Sequence, residues 1–169
     1  MKRSGFSMIE LVFVIVILGV LAAVAVPRFV TTRTDAQVAM LRSDIASVLK
    51  AIPARVFAEN LDPTTTPPGF SNWGEWMIDT GGLDRGRWLA SNNNIDPVIQ
   101  SSSSNQSASS NKCSDGIISI DGNGNLIFDP AKINNTSGTG TTLCTTLKNS
   151  YPSNSNRLIP LATTGAVKF

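Results

Sequence analysis

Histidine is absent from this chain of 169 residues, and cysteine occurs only twice, as Cys113 and Cys144. Without histidine, the Ser-His-Asp and Cys-His nucleophilic arrangements are excluded, and so is every histidine-ligated metal site. Two distant cysteines are too few for a structural zinc site. They fit one disulfide bond if the domain lies in an oxidising compartment.

Charge is also sparse, since Asp, Glu, Lys and Arg make up 15% of the residues and the formal net charge is +2. Lys2 and Arg3 supply that excess, so the rest of the chain is balanced. This composition gives no support for a basic nucleic-acid-binding domain, and no direct nucleic-acid site is evident. The sequence also lacks a phosphate-binding loop and carboxylate pairs at a telling spacing, so we expect no enzyme.

One long apolar run does stand out, at residues 6–26, where only Ser7 and Glu10 are polar. As an α-helix the run would span roughly 30 Å, about the thickness of the hydrocarbon core of a bilayer. A cleaved signal peptide is one interpretation, because the stretch LAAVAVP offers an Ala-x-Ala site, but the run is longer than usual. A plain anchor is another, with the basic leader held in the cytoplasm. The anchor leaves Glu10 unexplained.

The residues around Glu10 resemble a known N-terminus. Gly5-Phe6-Ser7-Met8-Ile9-Glu10-Leu11, followed by an apolar helix and Pro27, is similar to the prepilin N-terminus of type IV pilins and of type II secretion pseudopilins. The resemblance covers roughly residues 2–29. It implies that a membrane-embedded prepilin peptidase cuts between Gly5 and Phe6 and methylates the new amino group of Phe6. Gly5 suits a cleavage pocket that must admit the backbone closely.

The same resemblance implies a role for Glu10 in assembly. A carboxylate at membrane depth costs a few kcal/mol. The N-terminal ammonium group of a neighbouring subunit, on its Phe6, would offset that cost and fix the axial register of the subunits. The alternative is that the Glu10 side chain only reaches out to the lipid headgroups.

The helix is expected to continue beyond the apolar run. Pro27 should kink or loosen it. Residues 28–57 then predict an amphipathic scaffold helix, and Pro53 should end or bend it, with or without a further turn. The apolar stripe has spacings of three and four, and it is expected to pack under a globular head. Its members are Val38, Leu41, Ile45, Val48 and Ile52.

A short helix is predicted at residues 71–79, SNWGEWMID. Asn72 can cap its start, and Gly81 and Gly82 can stop it. The three tryptophans are expected to cover the scaffold helix, with a sugar-binding or partner-binding aromatic face as the alternative. They are Trp73, Trp76 and Trp88.

The stretch GIISIDGNGNLIFDP predicts a β-hairpin, because apolar residues alternate on either side of a turn rich in Asn and Gly. A calcium loop is the alternative, since oxygen-bearing residues occupy its first, third and fifth positions. Against it, the twelfth position is Lys132 and the sixth is Leu126. The candidate ligands would be Asp121, Asn123, Asn125 and Asp129.

Candidate final strands are TLCTTLK, RLIPLA and GAVKF, and the low-complexity residues 101–111 predict a surface loop. The fold class that follows is α+β. It is the lollipop of the pilins, in which a long N-terminal helix packs on a small antiparallel sheet. The expected segments are a leader at 1–5, a membrane or filament-core helix at 6–27, a scaffold helix at 28–57 and a head at 58–169.

These observations predict a structural subunit of a type IV pilus-like filament that carries no cofactor. A type II secretion pseudopilin is the alternative, and a membrane-anchored ligand-binding module is a weaker one. The expected partners are other pilin subunits, prepilin peptidase, an inner-membrane assembly platform and lipid. The expected location is the bacterial inner membrane, with the head in the periplasm and later in a filament.

Overall fold

A single long helix, α1, forms the spine of the protein from Met8 to Ala58, 51 residues in all. The computed structural model describes residues 7–99, 112–113, 115–133, 141–153 and 155–161, without the side chains of 25–32 and 141. At 1.5 Å per residue, α1 is about 77 Å long. The helix runs through Pro27 and Pro53, so the expected further turn beyond Pro53 is present.

The second part of α1 packs under the head, as its apolar stripe predicted. Val48 and Ile52 are fully buried, and the three earlier stripe residues are at most 6% exposed. They belong to one core with residues of the sheet and of two shorter helices. Burial of this stripe therefore joins α1 to the rest of the chain.

The short helix α2 spans Trp73–Gly81. The side-chain oxygen of Asn72 accepts a hydrogen bond from the Glu75 N–H at 2.9 Å, which caps the first turn. Gly82 ends the helix with a φ of 60°, a left-handed conformation that glycine adopts without strain. Both predicted end signals are thus confirmed.

The described strands form one antiparallel sheet in the order β1-β2-β3-β4-β5. The strands are β1 (Trp88–Ser91), β2 (Asn94–Pro97), β3 (Ile118–Ile120), β4 (Asn125–Phe128) and β5 (Arg157–Pro160). The predicted hairpin is β3–β4, with Ile118 opposite Phe128 and Ile120 opposite Leu126. All four of these side chains are buried, so this face of the sheet lies on the core.

One predicted strand is wrong. The stretch TLCTTLK lies in a helix, α3 (Thr141–Asn149), which packs against α1. Its threonines favour a strand locally, but Cys144 and Leu147 are three residues apart and both buried, which is the spacing of a helix face. RLIP is β5, as predicted. GAVKF and residues 101–111 lie outside the described residues.

The architecture is therefore α+β, with a long N-terminal helix packed on an antiparallel sheet of five strands. A short 3-10 helix, Pro130–Lys132, follows β4. This confirms the pilin-like fold class predicted from the sequence.

Candidate functional site

The N-terminal end of α1 carries the residues that the sequence marked for processing and assembly. Gly5 and Phe6 lie outside the described residues, so the cleavage site stays a prediction. The helix begins just after Ser7, whose backbone N–H donates to Glu10 Oε2 at 2.9 Å. The carboxylate of Glu10 thus caps the helix within its own chain.

This capping was missed in the sequence, although its signal was present. Ser-x-x-Glu is the pattern of a capping box, and Ser7 and Glu10 have that spacing. An acidic side chain in the first turn also suits the positive end of the helix dipole. Since a carboxylate has a second oxygen that can accept a hydrogen bond, the cap is compatible with a further cationic partner at Glu10.

The first part of α1 exposes its apolar side chains. Exposure is 86% for Met8, 57% for Ile15 and 42% for Ile17, the lowest value among the large apolar residues up to Val24. A continuous apolar surface of this kind marks a site of contact with lipid or with other protein chains. Glu10 lies at one end of it.

Among the described residues, none of the helices combines the length and the apolar character that crossing a membrane requires.

Asp44 is a further polar residue whose role the sequence did not indicate. It lies on α1, where its Oδ2 accepts a hydrogen bond from Trp88 Nε1 at 2.9 Å, and Arg87 Nη2 is 3.6 Å away. Trp88 is 1% exposed. This contact fixes β1 on the scaffold helix, and only the folded chain brings the two residues together.

The tryptophans serve packing, as the sequence predicted. Trp73 and Trp76 form an edge-to-face pair with ring centroids 5.0 Å apart, and Trp73 Nε1 donates to the Thr65 carbonyl. All three tryptophan side chains are at most 3% exposed. Their rings are therefore unavailable for stacking against a ligand such as a sugar.

Cys113 and Cys144 are joined by a disulfide, with an S–S distance of 2.02 Å. The bond ties α3 to the segment that leads into β3. Beside it, the buried Asp96 carboxylate accepts hydrogen bonds from the Gly116 and Ile117 N–H groups at 2.6 and 3.1 Å. Disulfide and buried carboxylate thus hold the same segment from its two ends.

The two carboxylates that the sequence offered as calcium ligands, Asp121 and Asp129, accept hydrogen bonds from nearby backbone N–H groups. Asp121 Oδ1 accepts from the Asn123 and Asn125 N–H groups, and its Oδ2 accepts from Asn125 Nδ2. The Asn125 side chain and these amides lower the pKa of the Asp121 carboxyl. Asp129 Oδ1 caps the 3-10 helix through the Ala131 N–H. Within the described ranges, acidic, cysteine and histidine side chains form no cluster of three that suits a metal.

Residues 1–26 match the family described as the prokaryotic N-terminal methylation motif. The type IV narrow pilus major component PilA5 of Thermus thermophilus is 47% identical over 51 residues, which cover 30% of this chain and 44% of that relative. The type II secretion system core protein G of Pseudomonas aeruginosa is 39% identical over 51 residues, covering 30% of this chain and 36% of the relative.

The core protein G of Aeromonas hydrophila is 36% identical over 64 residues, covering 38% of this chain and 45% of the relative. The chain therefore matches less than half the length of each of these relatives. No solved structure gives a significant match.

Together, the motif and the fold place this chain in a class of α+β proteins built on an N-terminal helix that carries a methylation signal. Over its N-terminal segment, the chain is similar to type IV pilins and to type II secretion pseudopilins, which agrees with the resemblance seen in the residues from Gly5 to Leu11.

Proposed function

We propose that this chain is a structural subunit of a type IV pilus-like filament. The subunit is cut between Gly5 and Phe6, methylated at Phe6, and assembled through its N-terminal helix. The observation that carries this proposal is the methylation motif at residues 1–26, which leads directly into a helix with an exposed apolar surface. The role is mechanical and requires no catalysis by this chain.

The proposed location is the bacterial inner membrane, with the head on the periplasmic side, before the subunit enters a filament. The anchor would be residues 6–27. The structure describes no side chains for residues 25–27 of this segment. Residues 1–5 would be the leader, residues 28–57 the scaffold and residues 58–169 the head. The proposed partners are other subunits of this family, prepilin peptidase, an assembly platform and membrane lipid.

Mass spectrometry of the mature N-terminus tests this proposal. We expect a chain that lacks residues 1–5 and carries a methylated Phe6. Gly5→Leu should abolish cleavage, because the new side chain obstructs close approach of the backbone to the peptidase. Gly19→Ala is the matched control for processing, since a Cβ at Gly19 meets nothing within 4 Å. An intact Met1, or cleavage in the alanine-rich stretch, would contradict the proposal.

A pseudopilin of a type II secretion system is the second candidate. The observation in its favour is the similarity to core protein G from two organisms. The two candidates differ in the phenotype of a deletion strain. Loss of surface filaments with normal protein secretion supports the pilus, whereas retention of secreted proteins in the periplasm supports the secretion system.

A membrane-anchored ligand-binding module is disfavoured in comparison. That function was suggested by the tryptophans, and their rings are buried in the head. The module would remain monomeric in the membrane, so the appearance of the processed chain in sheared filaments would argue against it.

A further inference from the structure

A polar groove of about 610 Å³ lies between the middle of α1 and the segment that leads into β5. Its floor is apolar and includes Leu49 and Phe128. Its polar wall includes Arg42, Tyr151 and Arg157. The groove is formed by parts of the chain that are distant in sequence, so only the folded head presents it.

The charge in this groove is positive. The guanidinium carbon of Arg42 lies 5.9 Å from the centroid of the Tyr151 ring. Arg42, Tyr151 and Arg157 all line the groove. Burial raises the pKa of the Tyr151 hydroxyl, while the positive charges of the two arginines act in the opposite direction. Among the described residues that line the groove, none is acidic. Two guanidinium groups beside a phenol form a site suited to carboxylates or other anions.

An acidic rim lies at the other end of the scaffold helix. We give this name to the exposed residues Glu59, Asp62 and Asp79. Two of them are paired with Arg55, since Arg55 Nε lies 2.8 Å from Glu59 Oε1 and Arg55 Nη1 lies 3.0 Å from Asp79 Oδ2. The side chains of Glu59 and Asp79 keep 45% and 55% exposure, so their negative charges face solvent.

The groove and the rim are separate surfaces of one molecule. Arg42 lies on α1 and Glu59 caps the end of that helix 17 positions later, which corresponds to about 25 Å along the helix axis. In the described part of the chain, the groove presents two arginines and no carboxylate, whereas the rim consists of three exposed carboxylates, two of which pair with the same arginine, so the two surfaces are opposite in net charge. An open filament requires two different complementary patches on each subunit, because its contacts are heterologous.

We propose that the arginine-lined groove of one subunit receives the acidic rim of a second copy of this chain, in a head-to-tail contact. This inference rests on the proposed filament function and adds a contact between heads to the assembly through the N-terminal helices. Arg42 and Arg157 would pair with carboxylates of the rim. Leu49 and Phe128 would cover the apolar stems of the incoming side chains.

The structure favours a second copy over an extended polyanion. A nucleic acid or an acidic polysaccharide requires a long basic track, whereas this groove offers two guanidinium groups. Asp35 lies beside Arg42 in the neighbouring depression and would repel a polyanion that continued in that direction. A pair of carboxylates held close together fits the groove better, and Glu59 and Asp79 form such a pair because both contact Arg55.

Charge reversal on each surface tests the pairing in the full chain, in a host that assembles it. Arg42→Glu with Arg157→Glu should lower the yield of sheared filaments by about tenfold or more, because like charges then face each other. Glu59→Arg with Asp62→Arg should do the same. All four changes together should restore a large part of the yield. Lys132→Glu is the control, since Lys132 is exposed and outside both surfaces.

Each variant is checked for an unchanged melting temperature and a methylated Phe6. Normal filaments from either charge-reversed double variant would overturn the inference. A quadruple variant that folds but does not regain filament yield would overturn it too. Loss of heparin or DNA binding with normal assembly would assign the groove to a polyanion and overturn it too. If the wild-type chain is neither processed nor assembled, the proposed function itself fails.

A milder variant serves if the reversals misfold. Arg157→Lys keeps the charge and supplies an amine that carbodiimide can join to a carboxylate. In assembled filaments, mass spectrometry should identify this amine bonded to Glu59, Asp62 or Asp79 of another subunit. Filaments in which position 157 forms no link to any of these residues, while other lysines are linked, would refute the pairing.

Discussion

The two parts of α1 belong to one continuous helix but differ in what surrounds their apolar side chains. From Met8 to Val24, the large apolar residues are at least 42% exposed. From Val38 to Val56, the residues of the apolar stripe are buried under the head of the same chain. The first part contains one charged residue, Glu10, whereas residues 38–56 contain four, which are Arg42, Asp44, Lys50 and Arg55.

The positions of these polar residues explain why the two parts have different surroundings. The second part alternates apolar and polar residues with a helical period, so it can bury one face and leave the other in water. Beyond Glu10, the first part is apolar on all sides, a pattern that fits contact with lipid or with other chains. Substitutions in the first part should therefore change assembly, and substitutions in the second part should change stability.

The largest expected effect is at Glu10. Glu10→Gln retains an oxygen that can accept the Ser7 N–H, so the helix cap survives while the charge is lost. If the Glu10 carboxylate pairs with the ammonium group of a neighbouring subunit, the substitution removes about 3 kcal/mol of association free energy per contact. Filament yield should then fall by about a hundredfold. Immunoblots of sheared filaments and of membranes measure this ratio. Glu10→Ala removes cap and charge together and should be at least as severe. Normal filaments from Glu10→Gln would leave Glu10 with capping alone.

The next prediction compares the same change, isoleucine to alanine, at one position in each part of α1. Ile52→Ala should lower the free energy of unfolding by about 2–5 kcal/mol, because Ile52 is fully buried. That corresponds to a melting temperature lower by about 5–15 °C for a chain of this size. Ile15→Ala should change the melting temperature little, since Ile15 is 57% exposed. Thermal unfolding followed by circular dichroism in detergent measures both. Equal losses would show that the two parts do not differ as described.

A smaller effect is expected where the scaffold meets the sheet. Trp88→Phe removes the indole N–H that donates a hydrogen bond to Asp44. The change should lower the free energy of unfolding by about 1–3 kcal/mol. Part of this loss comes from the smaller ring, so a double-mutant cycle is needed. In an Asp44→Ala background the same substitution should cost less. Identical costs in the two backgrounds would show that the hydrogen bond adds no stability.

The smallest effect concerns the β3–β4 turn in acid. The pKa of Asp121 is lowered by the Asn125 side chain and the turn amides. A carboxyl with a lowered pKa in the folded state contributes stability above its unfolded pKa, near pH 4, and loses it as pH falls through the folded pKa. Asp121→Asn should therefore flatten the decline of the melting temperature below about pH 4. An unchanged slope would contradict this.

Local patterns predicted much of the fold and of the candidate site. The buried stripe of α1, the caps of α2 and the β3–β4 hairpin each depend on residues a few positions apart. The pairing of Cys113 with Cys144 followed from their being the only two cysteines. The similarity to pilins and pseudopilins could be predicted from the seven residues from Gly5 to Leu11, because they combine a glycine, an aromatic residue and a glutamate at fixed spacings next to an apolar run.

Long-range contacts could not be predicted in the same way. Asp44 looked like an exposed charge on α1 until the fold brought Trp88 to it. The strand predicted for TLCTTLK failed because packing of Cys144 and Leu147 outweighed the strand preference of threonine. The β1–β2 hairpin was missed although Asn92, with a φ of 45°, suits a tight turn.

The position of β5 has a consequence for the solubility of the folded head. Within the described sheet, β5 forms one edge, and an open edge invites strands of other molecules to pair with it. This strand has four residues, begins with the charged Arg157 and ends with Pro160, which has no N–H to donate. Its edge is therefore a poor template for amyloid-like growth, and we expect the folded head to resist aggregation through its sheet even at high concentration.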